Sequence, residues 1–164
     1  MATNNVINSP KVSFMAYATV DDANITGNGT SFRLGSATAL TKQFDTSNSL
    51  NTNGIFTAPI GGYYYFSSQF YIANLTAAMI QGKTRIITTT SSFDFNEINP
   101  YGCSQSNSGN YILTLASSCV VRMNAGDTAY TSIIIYSGAG DTVALYAAAS
   151  AQSVFFAGYM ISGI

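Results

Sequence analysis

Gly54-Ile-Phe-Thr-Ala-Pro-Ile-Gly-Gly-Tyr-Tyr-Tyr-Phe-Ser-Ser-Gln-Phe70 is the stretch that decides how the rest of the chain is read. A turn cluster, Pro59 with Gly61 and Gly62, launches an aromatic run whose wide, stiff side chains suit a pleated sheet. Pro59 has no N–H to give a ladder, and adjacent glycines accept backbone angles that other residues avoid, so the chain turns between Phe56 and Tyr63. The stretch predicts a strand pair, a hairpin, at the centre of a β-sandwich. Along the run Tyr64, Phe66, Ser68 and Phe70 alternate with Tyr63, Tyr65, Ser67 and Gln69, so both faces of the strand begin aromatic. One face fills the core. The other calls for water-tolerant Tyr hydroxyls or a second subunit.

Working outward, the remaining segments read as partners for this strand. Val12, Phe14, Ala16 and Ala18 alternate with Ser13, Met15, Tyr17 and Thr19, the period of a strand with one buried face. Residues 21–30 carry loop chemistry, 31–34 and 40–45 read as short strands, and 83–90 are β-branched and strand-like. The segment 91–109 reads as the longest irregular region, an ordered loop packed by its aromatics. Strands are predicted over 111–123, 128–136, 142–147 and 153–161, with turns at 124–127 and 137–141. No sustained helical period is present, and the Ala-rich patch at 147–151 is too short for a helix. Eight or more strands at this spacing predict an all-β antiparallel sandwich or jelly roll.

Composition narrows the class. The 164 residues suit one domain, read as 11–164 behind a polar, flexible lead-in at 1–10 that looks like the start of an excised domain. Charged residues are 8% of the chain against 47% hydrophobic, about a third of the usual ~25% charged content. A surface so poor in charge is built from Thr, Ser, Asn, Gly and Tyr, as in secreted, fibre-like or virion-surface β-proteins. The net charge of −1 offers no basic field for nucleic acid and little resistance to self-association. No signal-peptide pattern and no apolar run of membrane-spanning length is visible. Cys103 and Cys119 make no disulfide framework; Cys119 reads as a buried small hydrophobe, with a bridge to Cys103 as the alternative. The triplets at Asn24, Asn28 and Asn74 read as chance glycosylation matches in an Asn- and Thr-rich chain.

Four ordered pieces carry a family resemblance: Phe56-Thr-Ala-Pro59, Gly62-x-Tyr64-x-Phe66, Gly126-Asp127-Thr128, and Phe156-Ala-Gly158-Tyr-Met. Together they resemble the signature of the globular head of complement component C1q, a family that shares its fold with tumour necrosis factor. Val12-Ser-Phe14-Met-Ala16 and Phe44-Asp45 are similar to that family's first strand and its aromatic-Asp pair. The likeness spans about 11–161. The polar stretch before Gly54 is longer than the family's, and the segment 91–109 is this chain's own. The resemblance implies a ten-stranded jelly roll that assembles as a homotrimer, often capping a fibrous stalk. The His-free, Asn/Thr-rich composition looks more bacterial or viral than vertebrate, and such heads also resemble the tips of phage tail fibres, bacterial surface fibres and spore-coat filaments, a resemblance that implies a fibre tip on a cell surface or virion.

Catalysis finds little support in the residues. There is no His, the commonest general base and neutral metal ligand, so a Cys-His nucleophile is excluded. Asp45, Asp127 and Asp141 fall where Asp normally satisfies backbone amides. Asp94 and Glu97 remain as a local pair, weak candidates for calcium because they lack the ordered spacing of a calcium loop. The expected function is a recognition head, not an enzyme. It binds a cell-surface glycan or glycoprotein through Phe93, Asp94, Asn96, Tyr101 and Asn107, with avidity from three linked sites. The alternative is a structural trimerisation or coat domain that registers a stalk.

Overall fold

The computed structural model describes residues 11–107, 109–147 and 152–164; the side chain of Asn107 lies outside the described part. So do the lead-in predicted for 1–10 and positions 148–151 of the Ala-rich patch. The described residues form thirteen strands and no helix. In chain order these are β1 Ser13–Tyr17, β2 Asp22–Thr26, β3 Ser31–Arg33, β4 Thr41–Asp45, β5 Phe56–Thr57, β6 Gly62–Ala73 and β7 Gln81–Thr88. They continue as β8 Ser92–Ile98, β9 Gln105–Asn107, β10 Asn110–Met123, β11 Thr128–Tyr136, β12 Val143–Leu145 and β13 Phe155–Gly163. The surplus over ten consists of short segments such as β3, β5, β9 and β12, of two or three residues each.

All pairings are antiparallel, and they make two sheets. One runs β2-β12-β6-β13-β1-β4, with β10 on the far side of β6 and β9 on β10. The other runs β3-β11-β7-β8, with β5 also on β11. Two sheets with one buried face each, closed over a shared core, are the sandwich that the alternating patterns predict. First and last strands are neighbours, as expected from their apolar character: Phe14 stands opposite Gly158 and Ala16 opposite Phe156.

The central hairpin is not what forms. β5 pairs with β11 in the smaller sheet, whereas β6 pairs with β10, β12 and β13 in the larger one. Pro59-Ile60-Gly61 therefore carries the chain across the sandwich. The reason lies in the aromatics: Phe56 and Tyr64 have ring centroids 5.4 Å apart and both are fully buried, reached from opposite sheets. Turn chemistry between two strand-like runs is the same for a hairpin and for such an arch. Only pairing tells them apart.

The signature residues converge on this place. Phe14, Phe56, Tyr64, Phe66 and Phe156 pack as one cluster with centroids 4.9–6.3 Å apart. Burial raises the Tyr64 phenol above its ordinary value, and its hydroxyl donates to Ile60 O at 2.6 Å. Gly158 lies between Phe14 of β1 and Phe66 of β6, where an added Cβ would come within 2.9 Å of both rings. Gly126 takes a φ of 89° in the turn before β11, and the Asp127 carboxylate accepts from Asn124 N at 2.7 Å. Asp45 and Asp141 also accept backbone N–H groups, those of Ser49, Leu50 and Asn28. All three therefore do the turn-holding work read for them in the sequence.

Two segments predicted as loops are partly strand. β2 lies within 21–30 and is held by Thr26, fully buried, whose Oγ1 accepts Ile135 N at 3.0 Å. Within 91–109, β8 pairs with β7 and β9 with β10. The Asp, Asn and Glu residues that read as loop formers lie in a strand interrupted by a bulge: Phe95 stands opposite Thr84 and Ile98 opposite Gly82, with Asn96 at a φ of 54° between them. A bulge adds one residue and breaks the period of two, which hides the strand from a pattern reading.

Candidate functional site

The larger sheet turns an unusual face outward. Its register aligns Val120, Tyr65, Tyr159 and Ser13 in one row across four strands. The next rows hold Ser118, Ser67, Ala157, Met15 and Phe44, then Ala116, Gln69, Phe155, Tyr17 and Thr41. No charged residue stands in these rows; Arg122 marks the rim beside Tyr63. Val120, Tyr159 and Phe44 are 55%, 50% and 45% exposed, and the Tyr65 and Tyr159 rings touch at 5.2 Å between centroids. Exposed apolar side chains gathered on one uncharged sheet face make it the candidate interaction surface. It is the second aromatic face of the central strand, widened by its neighbours.

Beside it, β10 leaves an open edge past its pairing with β9. A groove of about 430 Å³ lies there, lined by Tyr65, Ser67, Phe95, Asn96, Ala116 and Phe155 among others. Behind the groove polar contacts run within and between the sheets: the Ser68 and Ser117 hydroxyls meet at 2.8 Å inside the larger sheet, while Thr131 Oγ1 donating to Ser68 Oγ at 2.8 Å and Asn96 Nδ2 donating to Ala116 O at 2.7 Å tie the two sheets together. Satisfied buried groups like these rigidify a core.

The five residues predicted to bind ligand do not share one surface. Phe93 is half-buried against the core, while Asp94 faces the opposite side of β8, as strand neighbours do. There Asp94 accepts from Lys83 Nζ at 2.6 Å and Arg85 Nε at 2.9 Å. The hydrogen bond from Lys83 is the main reason its carboxyl is held below the usual value, with Arg85 adding to the effect against partial burial. Asn96 also donates to Thr84 Oγ1 at 3.1 Å, so it points into the sandwich. Tyr101 packs on Tyr111 with centroids 4.6 Å apart, and a hydrogen bond with that partner raises its phenol above the ordinary value. The pair adjoins a groove of about 420 Å³ lined by Tyr71, Cys103, Gln105 and residues 112–114. Asn107 pairs with Asn110 in the β9–β10 ladder.

Neither calcium candidate is free. Asp94 holds two cations, and the Glu97 carboxylate accepts from Gln81 Nε2 at 3.1 Å. Among the described residues no three His, Cys, Asp or Glu side chains gather as a metal site would require. Both cysteines are free thiols, Cys103 exposed and Cys119 half-buried, packed against the core as a small hydrophobe. Burial pushes the Cys119 thiol up to about 11. No helix of the described residues is long and apolar enough to cross a membrane.

No family model matches the chain, and no curated protein matches it. Solved structures do. The globular domain of zebrafish complement 1qA protein superposes with a TM-score of 0.56 over 94% of this chain and 99% of that one, at 15% identity. Murine APRIL superposes with a TM-score of 0.55 over 92% and 99%, at 10% identity. At such identities the likeness is one of fold: the chain is a jelly-roll sandwich of the kind found in C1q globular domains and the tumour necrosis factor family.

Proposed function

We propose that the chain is the homotrimeric recognition head of a fibre or surface protein outside the cell, binding a cell-surface glycan or glycoprotein. The observation that carries this reading is the outer face of the larger sheet, uncharged across its three rows, where Tyr159, Val120 and Phe44 are exposed and Tyr65 is half-buried beside Tyr159. A second copy of the chain is its occupant. The face has no charge apart from Arg122 at its rim to pair with a foreign partner, and a net charge of −1 offers almost no repulsion between copies. Closed cyclic association lets identical chains bury such a face without growing into open filaments. Three copies held together multiply weak individual contacts into useful avidity.

Light scattering during gel filtration tests the assembly. A mass near three times 17.3 kDa, stable on dilution, is expected. Tyr159→Glu places a carboxylate in the middle of the face and should yield a folded monomer. A wild-type monomer at every concentration, or a trimer indifferent to Tyr159→Glu and to Val120→Glu, refutes the use of this face.

A further inference from the structure

The outer face of the smaller sheet is chemically the opposite of the aromatic one. Three of the chain's six Lys and Arg residues, Arg33, Lys83 and Arg85, stand on its strands. The register sets Ser132 of β11 directly between Arg33 of β3 and Arg85 of β7, with Asp94 of β8 beyond Arg85. Directly opposed residues of antiparallel strands share a face. The outward direction is fixed because Thr131, the residue before Ser132, bonds inward to Ser68 of the other sheet.

This row is incomplete as it stands. Asp94 takes up Lys83 and Arg85, but Arg33 enters no ion pair among the described residues. Two buried side-chain polar atoms among those residues lack a hydrogen-bond partner, Arg33 Nε and Ser132 Oγ. They belong to residues that face each other in the register, and Ser132 is only 1% exposed. Buried donors are almost always satisfied, so two orphans at one spot mark a place where a partner belongs. Arg33 is held with its guanidinium carbon 5.8 Å from the centroid of the Tyr130 ring, an arrangement that orients a cation without neutralising it.

We infer that Arg33, Ser132 and Arg85 form a site for an oxyanion, the carboxylate or sulfate group of an acidic saccharide. Arg33 and Ser132 donate to the oxygens, and Arg85 supplies the second positive charge from the opposite side. Asp94 already shows the chemistry: its carboxylate sits on Arg85 Nε at 2.9 Å, and the incoming group does the same from the Ser132 side. Guanidinium groups suit planar carboxylates and sulfates better than point charges do. The sugar assignment comes from the neighbours two residues along these strands on the same face, the Tyr130 ring beside Ser132 and the Ser31 hydroxyl beside Arg33. Such groups stack on sugar faces and bond sugar hydroxyls. The choice of a saccharide rests on the recognition reading above, whereas the oxyanion site stands on the geometry and lies on the sheet opposite the proposed assembly face.

Calorimetric titration of the full chain tests this at low and high ionic strength. The probes are sialyllactose for the carboxylate, a sulfated chondroitin disaccharide for the sulfate, lactose as the neutral sugar, and sodium acetate and sulfate as bare anions. The acidic sugars should bind, weaken with salt, and exceed both lactose and the bare anions; the stronger of the two identifies the oxyanion. Arg33→Gln should weaken acidic-sugar binding about tenfold or more, the loss of one charge-assisted hydrogen bond. Asp94→Asn, which releases Arg85 and Lys83 from their internal carboxylate, should tighten it, a gain that misfolding cannot imitate. Equal binding of bare anions overturns the saccharide assignment and leaves the oxyanion site. Binding of lactose unaffected by Arg33→Gln overturns the site while sustaining glycan recognition elsewhere. No binding by any probe, with the thermal melt of the chain intact, overturns the site and says nothing against the assembly measured by mass.

Discussion

Gly158→Ala should be among the most damaging single-methyl additions in this protein, and the structure gives the size. Gly158 sits on β13 with Phe14 opposite it on one side and Phe66 on the other. A Cβ at this position would lie 2.7 Å from Phe66 Cδ1, 2.9 Å from Phe14 Cε1 and 2.9 Å from Tyr65 O. Real Cβ atoms do not approach other atoms so closely. Neither ring can retreat: both are at most 2% exposed and wedged among Phe56, Tyr64 and Phe156. The third contact is backbone of the central strand itself. Overpacking a close-packed core costs about 1–3 kcal/mol, and with two immobile rings and a carbonyl in the way the upper half of that range applies, about 2–3 kcal/mol. For a chain of this length that lowers Tm by about 4–12 °C. Urea unfolding followed by circular dichroism measures it, at fixed protein concentration because assembly would couple stability to concentration. Gly140→Ala is the control, since nothing lies within 4 Å of its added Cβ. If the two variants unfold within about 0.5 kcal/mol of each other, the ordinary scatter of surface changes, the packing argument for the Gly158 signature fails.

Three further outcomes are expected. Burial draws the Asp45 carboxyl upward, but the Lys42 ammonium and the Leu50 and Ser49 amides outweigh it and hold it below 3.8. A depressed folded value stabilises above the unfolded value and loses that contribution as pH falls through the folded one. The urea midpoint should therefore be flat near neutrality and drop below about pH 4, with a shallower drop in Asp45→Asn; identical acid curves contradict this. Ellman titration of the native chain should release one equivalent quickly, from Cys103, and the second only in denaturant, because the thiolate of Cys119 is disfavoured at a value of about 11. Two fast equivalents, or none, refute the described thiols. Asn96→Ala should destabilise the sandwich by about 2 kcal/mol, by removing its hydrogen bonds to Thr84 and Ala116 and by forcing Ala into a left-handed conformation; an unchanged unfolding midpoint returns Asn96 to the list of ligand contacts.

Much of this molecule is legible along the chain. The strict alternation from Val12 to Ala18 and from Tyr63 to Phe70 depends only on the two-residue period of a strand, and the observed burial follows it residue by residue. The turn before β11 follows from Gly126 and Asp127, whose conformational and hydrogen-bonding preferences are local. The aromatic second face of β6 was visible for the same reason. β8 was not, because the bulge at Asn96 breaks the period that reveals a strand and its acidic side chains look like loop residues until Lys83 and Arg85 are set across from them. The recognition residues fared differently from one another: Asp94 reaches the surface, whereas Phe93 and Asn96 turn into the sandwich.

The sequence by itself determined the periodicities, the turns, the lack of catalytic histidine chemistry, and a surface too poor in charge to repel its own copies. These are properties of composition and of neighbours within a few residues. Only the tertiary structure decided that Phe56 and Tyr64 belong to different sheets, and that Arg33 and Ser132, far apart in the chain, face each other with unpaired polar atoms. Pairing and register arise when the chain closes long loops to bury its apolar faces, and that choice is made by the whole core at once.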